Sequence, residues 1–327
     1  MADFMVETRD LTKRFGATAA VDKANIRIRT GEVYGLLGPN GAGKSTTIKM
    51  LCTFLRPTSG TAAIEGSDTV REGNQVRRRI GIIFQDPSLD DRLTGRENLE
   101  LHCMFYHVPK AERQKRIEEL LTIVDLSAHA ERDVRTYSGG MKRRLEIARG
   151  LLHEPRLLIL DEPTIGLDPQ TRKSIWEYIH ALQRRTGLTI LMTTHYLEEA
   201  EACHNIGIMD KGKIIAEGSP EFLKLQSSVT RITVESSEAD RIVANYVQDR
   251  SIVSLKREQR KIVFEVGHAE SFLPTLFALG LPIDSLSVQK PSLDDVFLKL
   301  TGRQIREEEA DAKEQMRNVM KIRGRRT

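Results

Sequence analysis

The sequence GPNGAGKS, at residues 38–45 of this 327-residue chain, matches the pattern GxxxxGK[ST]. It lies between an apolar run at residues 33–37 and a helical pattern that starts at Lys44. Glycines in such a turn let successive backbone N–H groups point at one anion, at the positive end of the helix that follows. The chain is therefore expected to fold as α/β, with this turn at the end of a strand in a largely parallel sheet.

The same turn predicts a role for each polar side chain near its end. Lys44 is expected to reach the β- and γ-phosphates of a nucleotide, and the Ser45 hydroxyl is expected to bind Mg²⁺. Thr46, one residue further into the helix, is placed to hydrogen-bond the α-phosphate. A turn that only joins a strand to a helix would not need Lys and Ser in this register. The predicted nucleotide-binding residues of the turn are Gly38, Pro39, Asn40, Gly41, Ala42, Gly43, Lys44, Ser45 and Thr46.

Apolar runs alternate with helical patterns through the first two-thirds of the chain, as in parallel sheets whose strands are joined by helices. A stretch with helical periodicity and little strand signal interrupts this alternation, and it predicts an inserted helical subdomain at about residues 94–152. The predicted buried strands are residues 33–37, 81–84, 157–160, 189–194 and 206–209, and the predicted helices are residues 44–55, 111–124, 141–152 and 171–185.

Two acidic residues follow directly on one of these strands. Residues 157–160 are apolar, and Asp161 and Glu162 come next. Acids are costly in a core unless they work at the strand's end, which in a parallel sheet is where ligands bind. We predict that Asp161 holds Mg²⁺ and that Glu162 is the general base for an attacking water. Gln85 and His195 end two other strands, where spacing alone fits a structural role as well as a catalytic one.

The pattern changes after about residue 228. Residues 229–302 read as strand, helix, strand, strand, helix, strand, which is the order of ferredoxin-like α+β domains, followed by a helix at 293–300 that ends near Gly302. We therefore predict one large domain at residues 1–228 and a small one at 229–302. Residues 303–327 carry both charge signs and are expected to be a solvated tail rather than an anchor to anionic lipid.

Composition limits the partners that are expected. The formal net charge is only +4, so no nucleic-acid partner is expected, and the basic clusters at 77–79 and 142–144 are expected to be solvated faces. Three widely spaced cysteines favour free thiols in a reducing compartment. The N-terminal residues show no secretory signal, and no run of about 18 apolar residues occurs. Any membrane role is therefore expected to depend on a partner.

The order of the motifs resembles one family. After the phosphate turn and Gln85 come Ser-Gly-Gly at 138–140, the acid pair, Gly-Leu-Asp at 166–168, and His195. Over residues 1 to about 225 this order resembles the ATPase subunits of ABC transporters. The resemblance implies ATP and Mg²⁺ as cofactors. It also implies a P-loop NTPase core with an antiparallel β subdomain and an inserted helical subdomain.

The resemblance adds roles that spacing alone left open. Gln85 would couple the site to a membrane subunit, besides contacting Mg²⁺ or the attacking water, and His195 would sense the γ-phosphate. Phe15 stands where the family stacks an aromatic ring on adenine, with Val21 nearby, although Phe15 could equally be a core residue. Asp168 would lie at a dimer interface. The predicted second phosphate half-site, at the start of a helix, is Ser138, Gly139 and Gly140.

Family membership would also define the partners. In the family, two such subunits pair head to tail, so that the Ser-Gly-Gly of each subunit completes the ATP site of the other. The resemblance therefore predicts a homodimer, or a pseudo-dimer with a related subunit. A multi-span membrane permease would hold the chain at the cytoplasmic face of the cell membrane. A cytosolic ATP-switched protein acting on nucleic acid or ribosomes would usually carry a second ATPase unit or a long coiled coil. A small-molecule kinase would leave Ser-Gly-Gly and His195 unexplained.

Some positions depart from the common family pattern. Tyr137 and Met141 replace the usual Leu and Gln, and Ile165 replaces a small polar residue. The sequence YSGGM, together with PSLDDVFLKLTG at 291–302, resembles the daunorubicin-resistance subgroup. That subgroup implies export, of drugs or of other hydrophobic or amphipathic compounds.

Overall fold

A computed structural model describes residues 3–85, 88–227, 230–246, 249 and 252–302. Its contacts divide the chain into two compact units, of which the first runs to Pro220 and the second begins at Glu221. The sequence placed this division later, at 228, because the glycine and proline before residue 221 are followed by one more helix. The contacts group that helix with the second unit.

The first unit contains the parallel sheet and the elements around it. Its strands are β1 (Phe4–Phe15), β2 (Thr18–Ala24), β3 (Arg27–Arg29), β4 (Val33–Leu37), β5 (Ser59–Ile64), β6 (Ser67–Asp68), β7 (Ile80–Ile83), β8 (Leu157–Asp161), β9 (Thr189–Thr194), β10 (Asn205–Asp210) and β11 (Lys213–Gly218). Its helices are α1 (Lys44–Leu51), α2 (Gly73–Arg79), α3 (Gly95–Phe105), α4 (Lys110–Ile123), α5 (Gly139–Leu151), α6 (Pro169–Thr186) and α7 (Leu197–Glu201).

Six strands form the central sheet in the order β11-β10-β4-β9-β8-β7. The pairs β10–β4, β4–β9, β9–β8 and β8–β7 are parallel, and β11 is antiparallel at the edge. Strands β4, β8 and β9 are buried along their whole length, as parallel strands covered on both faces must be. The predicted α/β fold with a largely parallel sheet is confirmed.

Helix α1 is shorter than its sequence pattern. It ends at Leu51 rather than near residue 55, because Thr53 has a positive φ of 66° that a right-handed helix cannot contain. Residues 53–58 then lead into an antiparallel sheet in the order β2-β1-β5-β6, with β3 paired to β1. This sheet is the predicted antiparallel β subdomain.

The segment between β7 and β8 is helical in its described part, as the sequence indicates. It contains α3, α4, α5 and two short 3₁₀ turns at Ser127–His129 and Val134–Thr136. Helix α3 begins with a capping box between Thr94 and Glu97. Helix α5 begins at Gly139, earlier than the predicted residue 141, because the Ser138 hydroxyl accepts a hydrogen bond from the backbone N–H of Met141 and caps the helix.

The second unit has its own sheet and core. Its elements are α8 (Pro220–Ser227), β12 (Thr230–Glu235), α9 (Ala239–Tyr246), β13 (Ile252–Glu258), β14 (Lys261–Val266), α10 (Ala269–Ala278), β15 (Ser285–Gln289) and α11 (Leu293–Thr301). The strands form an antiparallel sheet in the order β13-β14-β12-β15, so that β14 separates the two strands joined by α9. This is the ferredoxin-like split βαβ arrangement that the sequence predicts.

Aromatic side chains fill the core of the second unit. The ring of Phe264 lies 5.5 Å from that of Tyr246 and 5.0 Å from that of Phe272. Helix α11 ends at Gly302 with φ of 75°, which confirms the predicted glycine C-cap. The predicted tail at 303–327 lies outside the described residues. Each helix in the described part of the chain is too short or too polar to cross a bilayer.

Helix α6 shows how the first unit is stabilised. It buries Ile175, Trp176, Ile179 and Leu182, which recur at helical spacing. We expect Ile179→Ala to lower the free energy of unfolding by about 2–5 kcal/mol, since the deletion leaves a cavity at a fully buried position. Urea unfolding followed by the fluorescence of Trp176, the one tryptophan of the chain, measures the change.

The matched control for this variant is Lys173→Ala on the same helix. The side chain of Lys173 is 80% exposed, so we expect its replacement to change the free energy by less than about 0.5 kcal/mol. Equal effects of the two substitutions would contradict the packing described here.

Candidate functional site

The carboxyl ends of β4 and β9 and the segments after β7 and β8 meet at one edge of the central sheet. A cavity of about 800 Å³ opens there. It contains most of the residues predicted from the phosphate turn, together with Gln85, Glu162 and His195, and also Ala20 and Tyr196, which the sequence did not single out. The lining residues are Ala20, Asn40, Gly41, Ala42, Gly43, Lys44, Ser45, Thr46, Gln85, Glu162, Ile165, Gly166, His195 and Tyr196.

The phosphate turn depends on glycine at Gly43. This residue has φ of 111°, and a Cβ atom there would lie 2.8 Å from the Cε atom of Met209 and still closer to the carbonyl oxygen of Ala20. Its backbone is the left-handed entry to α1. A side chain at this position would therefore meet both conformational strain and a clash.

Lys44 is buried and bends back across the turn. Its Nζ donates to the carbonyl oxygens of Gly38 (2.7 Å) and Pro39 (3.1 Å). The same Nζ lies 3.4 Å from Oε1 of Glu162, which joins the phosphate turn to the end of β8. The two predicted partners of a triphosphate thus contact each other across the cavity.

Glu162 is the centre of a charged group. Its Oε2 lies 3.4 Å from Nδ1 of His195, opposite the contact with Lys44. Burial alone would raise the pKa of the Glu162 carboxyl, but the hydrogen bond with His195 and the charge of Lys44 outweigh burial and hold that pKa below its usual value. Glu162 is therefore ionised at neutral pH, as a group that accepts a proton must be.

Asp161 lies beside this group and faces the start of α1. Its Oδ1 accepts hydrogen bonds from Thr193 Oγ1 (2.6 Å) and Ser45 Oγ (3.3 Å). The Thr193 hydroxyl also accepts from the backbone N–H of Glu162 at 2.9 Å. One buried threonine therefore fixes both acids. Thr193 was not predicted from the sequence, in which its one signal was a hydroxyl side chain near the end of an apolar strand.

The predicted half-site at the start of α5 is separate from the cavity. Ser138 and Gly139 are exposed, and Gly140 is buried. Gly139 instead lines a smaller cavity of about 190 Å³, in which Gln85 and Glu162 also take part. Asp168 is exposed at the start of α6, where it caps the helix by accepting from the N–H and hydroxyl of Thr171. These two hydrogen bonds, that from the hydroxyl first, hold the pKa of Asp168 below its usual value.

The two residues predicted near adenine are placed differently. Val21 is fully buried in the hydrophobic core, because β2 turns this side chain inward, and it does not line the cavity. Ala20 lines the cavity instead. Phe15 is 54% exposed, lies outside the lining of the cavity, and has Nζ of Lys13 at 5.3 Å from its ring centroid.

Both basic clusters differ in part from their prediction. In the cluster at 77–79, Arg77 and Arg78 are exposed, as a solvated face requires, whereas Arg79 is half-buried and donates to Ser67 Oγ and the carbonyl of Glu65. Arg143, in the cluster at 142–144, is only 6% exposed and faces the interior. Its position three residues after the buried Gly140 was the available signal, since residues three apart share a helix face.

This fold and site define a P-loop nucleotide-binding protein: a glycine-rich turn between a parallel strand and a helix, with an acid pair at the neighbouring strand end. Residues 21–165 match the ABC transporter family. Daunorubicin resistance ATP-binding protein DrrA3 of Streptomyces coeruleorubidus is 40% identical over 95% of this chain and 100% of its own length. Linearmycin resistance ATP-binding protein LnrL of Bacillus subtilis is 36% identical, over 93% and 100% of the two chains.

A solved structure shows the same likeness over about two-thirds of the chain. The ATP-binding cassette MJ0796, described as a dimer in a post-hydrolysis state bound to ADP and Pi, superposes with a TM-score of 0.59 at 30% identity. The match covers 66% of this chain and 98% of that one. The chain therefore belongs to the ATP-binding subunits of ABC transporters, and it is an ATPase of that family. The resemblance noted from its motifs is confirmed.

The geometry of the turn gives a direct test. We expect Gly43→Ala to weaken ATP binding by at least about tenfold, since the added methyl group would displace the turn. The control is Gly66→Ala, which also has a positive φ, of 78°, but whose added Cβ meets nothing within 4 Å. Titration with a fluorescent ATP analogue compares the two variants. Similar losses in both would contradict the effect assigned to the contacts of Gly43.

Proposed function

We propose that this ATPase powers a membrane exporter of drugs or of other hydrophobic or amphipathic compounds, and that Glu162 is the base that activates the attacking water. The observation that carries the catalytic part is the placement of Glu162, which is buried, ionised, and held between Lys44 and His195 in the cavity of about 800 Å³ at the sheet edge. A base needs such a position beside the γ-phosphate.

The contact between Lys44 and Glu162 suggests how binding prepares the base. When the β- and γ-phosphates enter the turn, Lys44 moves from the carboxylate to the phosphate oxygens. Glu162 then loses one of the charges that lower its pKa, so its carboxylate becomes a stronger base as the site fills. His195 stays on the other oxygen and contacts the γ-phosphate side of the cavity.

The residues at the end of β8 fit a magnesium ion. Ser45 Oγ and Asp161 Oδ1 are hard oxygen donors only 3.3 Å apart, and the amide of Gln85 lines the same cavity. Bound Mg²⁺ would neutralise charge on the phosphate oxygens. Thr193 keeps Asp161 oriented toward Ser45, and the backbone N–H groups of residues 40–46 supply the rest of the anion site.

Completion of the site requires a second copy of the chain. Ser138 and Gly139 are exposed at the start of a 13-residue helix, where backbone N–H groups and the helix dipole favour phosphate. They do not line the nucleotide cavity of their own chain. We propose a head-to-tail homodimer in which each Ser138-Gly139-Gly140 contacts the ATP of the other subunit and Asp168 lies at the interface. The dimeric state described for MJ0796 supports this arrangement.

A membrane permease is the proposed second partner. Phe54 and Phe105 are 62% and 64% exposed, and large apolar side chains in such positions favour a protein contact. The ring of Phe54 lies 5.6 Å from that of Phe84, the residue before Gln85. A permease that covers Phe54 would therefore be coupled to Gln85 and would place the chain at the cytoplasmic face of the cell membrane. The daunorubicin and linearmycin resistance relatives favour drugs as cargo.

The domain assignment follows from the same proposal. The ATPase domain, predicted from the sequence at residues 1–228 with its helical subdomain at about 94–152, would end at Pro220 by the contacts of the chain. The accessory domain, predicted at 229–302, would then also include α8. We propose that the accessory domain steadies the dimer or its contact with the permease. The ferredoxin-like sheet has a core of its own, which supports a distinct role.

The catalytic proposal is tested by two variants. We expect Lys44→Ala to abolish ATP binding and turnover, since it removes the cation of the phosphate turn. We expect Glu162→Gln to bind ATP, to lose turnover by at least about a hundredfold, and to elute as a dimer with Mg-ATP in size-exclusion chromatography. The control Glu162→Gln/Ser138→Asp keeps its own phosphate turn but should stay monomeric. A monomeric Glu162→Gln protein with saturating Mg-ATP would contradict the composite site.

The export proposal needs the permease. Co-expression with a candidate multi-span permease should raise resistance to a lipophilic antibiotic and stimulate the ATPase of the purified complex. Lys44→Ala in the same complex should give neither effect. Stimulation by ribosomes or RNA in place of the membrane protein would favour the alternative of a cytosolic ATP-switched protein.

A further inference from the structure

Arg143 is a buried arginine on α5, one turn beyond the exposed Ser138 and Gly139. Its guanidinium donates to three backbone carbonyls of the core: Nε to Pro163 O (2.7 Å), Nη1 to Phe84 O (2.9 Å) and Nη2 to Asp161 O (3.5 Å). A planar guanidinium can hold several acceptors at once in fixed directions, which a lysine ammonium on its flexible stem cannot do.

These carbonyls belong to the residues around the proposed catalytic groups. Asp161 and Pro163 are the neighbours of Glu162 on either side, and Phe84 precedes Gln85. Glu162 itself has a positive φ of 46°, an unusual conformation for a residue with a side chain. Such a conformation persists only where the surroundings determine it. Arg143 donates to the carbonyl oxygens of the residues before and after Glu162, and Thr193 accepts from the N–H of Glu162.

The charge of Arg143 is balanced within α5. Nη1 lies 2.9 Å from Oε2 of Glu146, one turn further along, and both side chains are buried. The other carboxylate oxygen of Glu146 accepts from the backbone N–H of Ser88 at 2.9 Å, and Arg149 donates to the carbonyl of Ser88 at 3.0 Å. Helix α5 thus holds Phe84 and Ser88, on the two sides of Gln85, as well as the peptides around Glu162.

We propose that Arg143 is a positioning residue, through which the orientation of Glu162 depends on the position of α5. The position of α5 depends in turn on the phosphate contacts at the start of that helix. The proposal rests on the catalytic role proposed for Glu162. When the ATP bound to the partner contacts Ser138 and Gly139, α5 would be held in place. Arg143 would then hold the backbone on either side of Glu162 in its position. Arg143 already makes these contacts in the single chain, and closure of the dimer would keep α5, and with it these contacts, in place.

A purely structural role for the Arg143–Glu146 pair would give a different result. Loss of a buried ion pair lowers stability and need not separate catalysis from binding. A positioning role instead lowers the rate of the chemical step while the phosphate turn, which Arg143 does not contact, keeps its affinity for ATP.

The test compares Arg143→Lys with Arg144→Lys in the full chain. Arg144 is the adjacent residue on α5 and also donates to backbone carbonyls, but those of Val124 and Asp125 at the end of α4. We expect Arg143→Lys to lower kcat by at least about tenfold and to leave KM for ATP within about twofold. Arg144→Lys should keep both values within about twofold of the unmodified chain.

A double variant shows whether the effect passes through Glu162. If it does, Arg143→Lys/Glu162→Gln should have the same residual kcat as Glu162→Gln, since a base that is absent cannot be misplaced. Multiplicative losses would overturn the proposal. So would an unchanged kcat in Arg143→Lys, or an equal loss in Arg144→Lys.

A second pair of substitutions distinguishes loss of turnover by misfolding from loss of turnover by misplacement of Glu162. If urea unfolding shows that Arg143→Lys is destabilised, Arg143→Met/Glu146→Met removes both buried charges at similar volume. A folded double variant that binds ATP but has lost turnover supports the proposal, and one with full turnover overturns it. The underlying assignment is judged independently, because full turnover in Glu162→Gln alone would refute the role of Glu162 whatever Arg143 does.

Discussion

The contact of Lys44 and His195 with the two oxygens of Glu162 is the interaction on which the site depends. It joins the ends of three neighbouring strands, β4, β8 and β9, through one carboxylate. It is possible only because those strands are parallel and adjacent, so that their carboxyl ends lie at the same edge. The stability of the buried sheet therefore maintains the distances between these three side chains.

Buried polar groups around this contact satisfy one another. Thr193 binds both acids of the pair, and Glu199 accepts hydrogen bonds from Thr164 and from Thr194 at 2.6 Å, the residues two after Glu162 and one before His195. An unpaired charge in these positions would be costly, and a fully paired network fixes one arrangement of the loops. The loops that carry Glu162 and His195 are thus held by the same helix, α7.

The sequence anticipated much of the fold for identifiable reasons. The turn at 38–45, the apolar runs and the acid pair are local patterns, and β4 and β9 have the predicted bounds. The order of strands and helices after residue 228 also predicted the ferredoxin-like sheet. Two helix boundaries differ from their predictions. The positive φ of Thr53 ends α1 early, and the Ser138 cap starts α5 early.

The sequence alone determined which residues stand near strand ends and helix starts, because periodicity and glycine spacing depend only on residues that are close together in the chain. The tertiary structure decided which of them meet. Val21 faces the core and Ala20 the cavity, Thr193 spans the two acids, and Arg143 points inward to carbonyls far away in the chain. These outcomes depend on strand order and helix packing, which bring distant residues within a few ångströms and which no local pattern encodes.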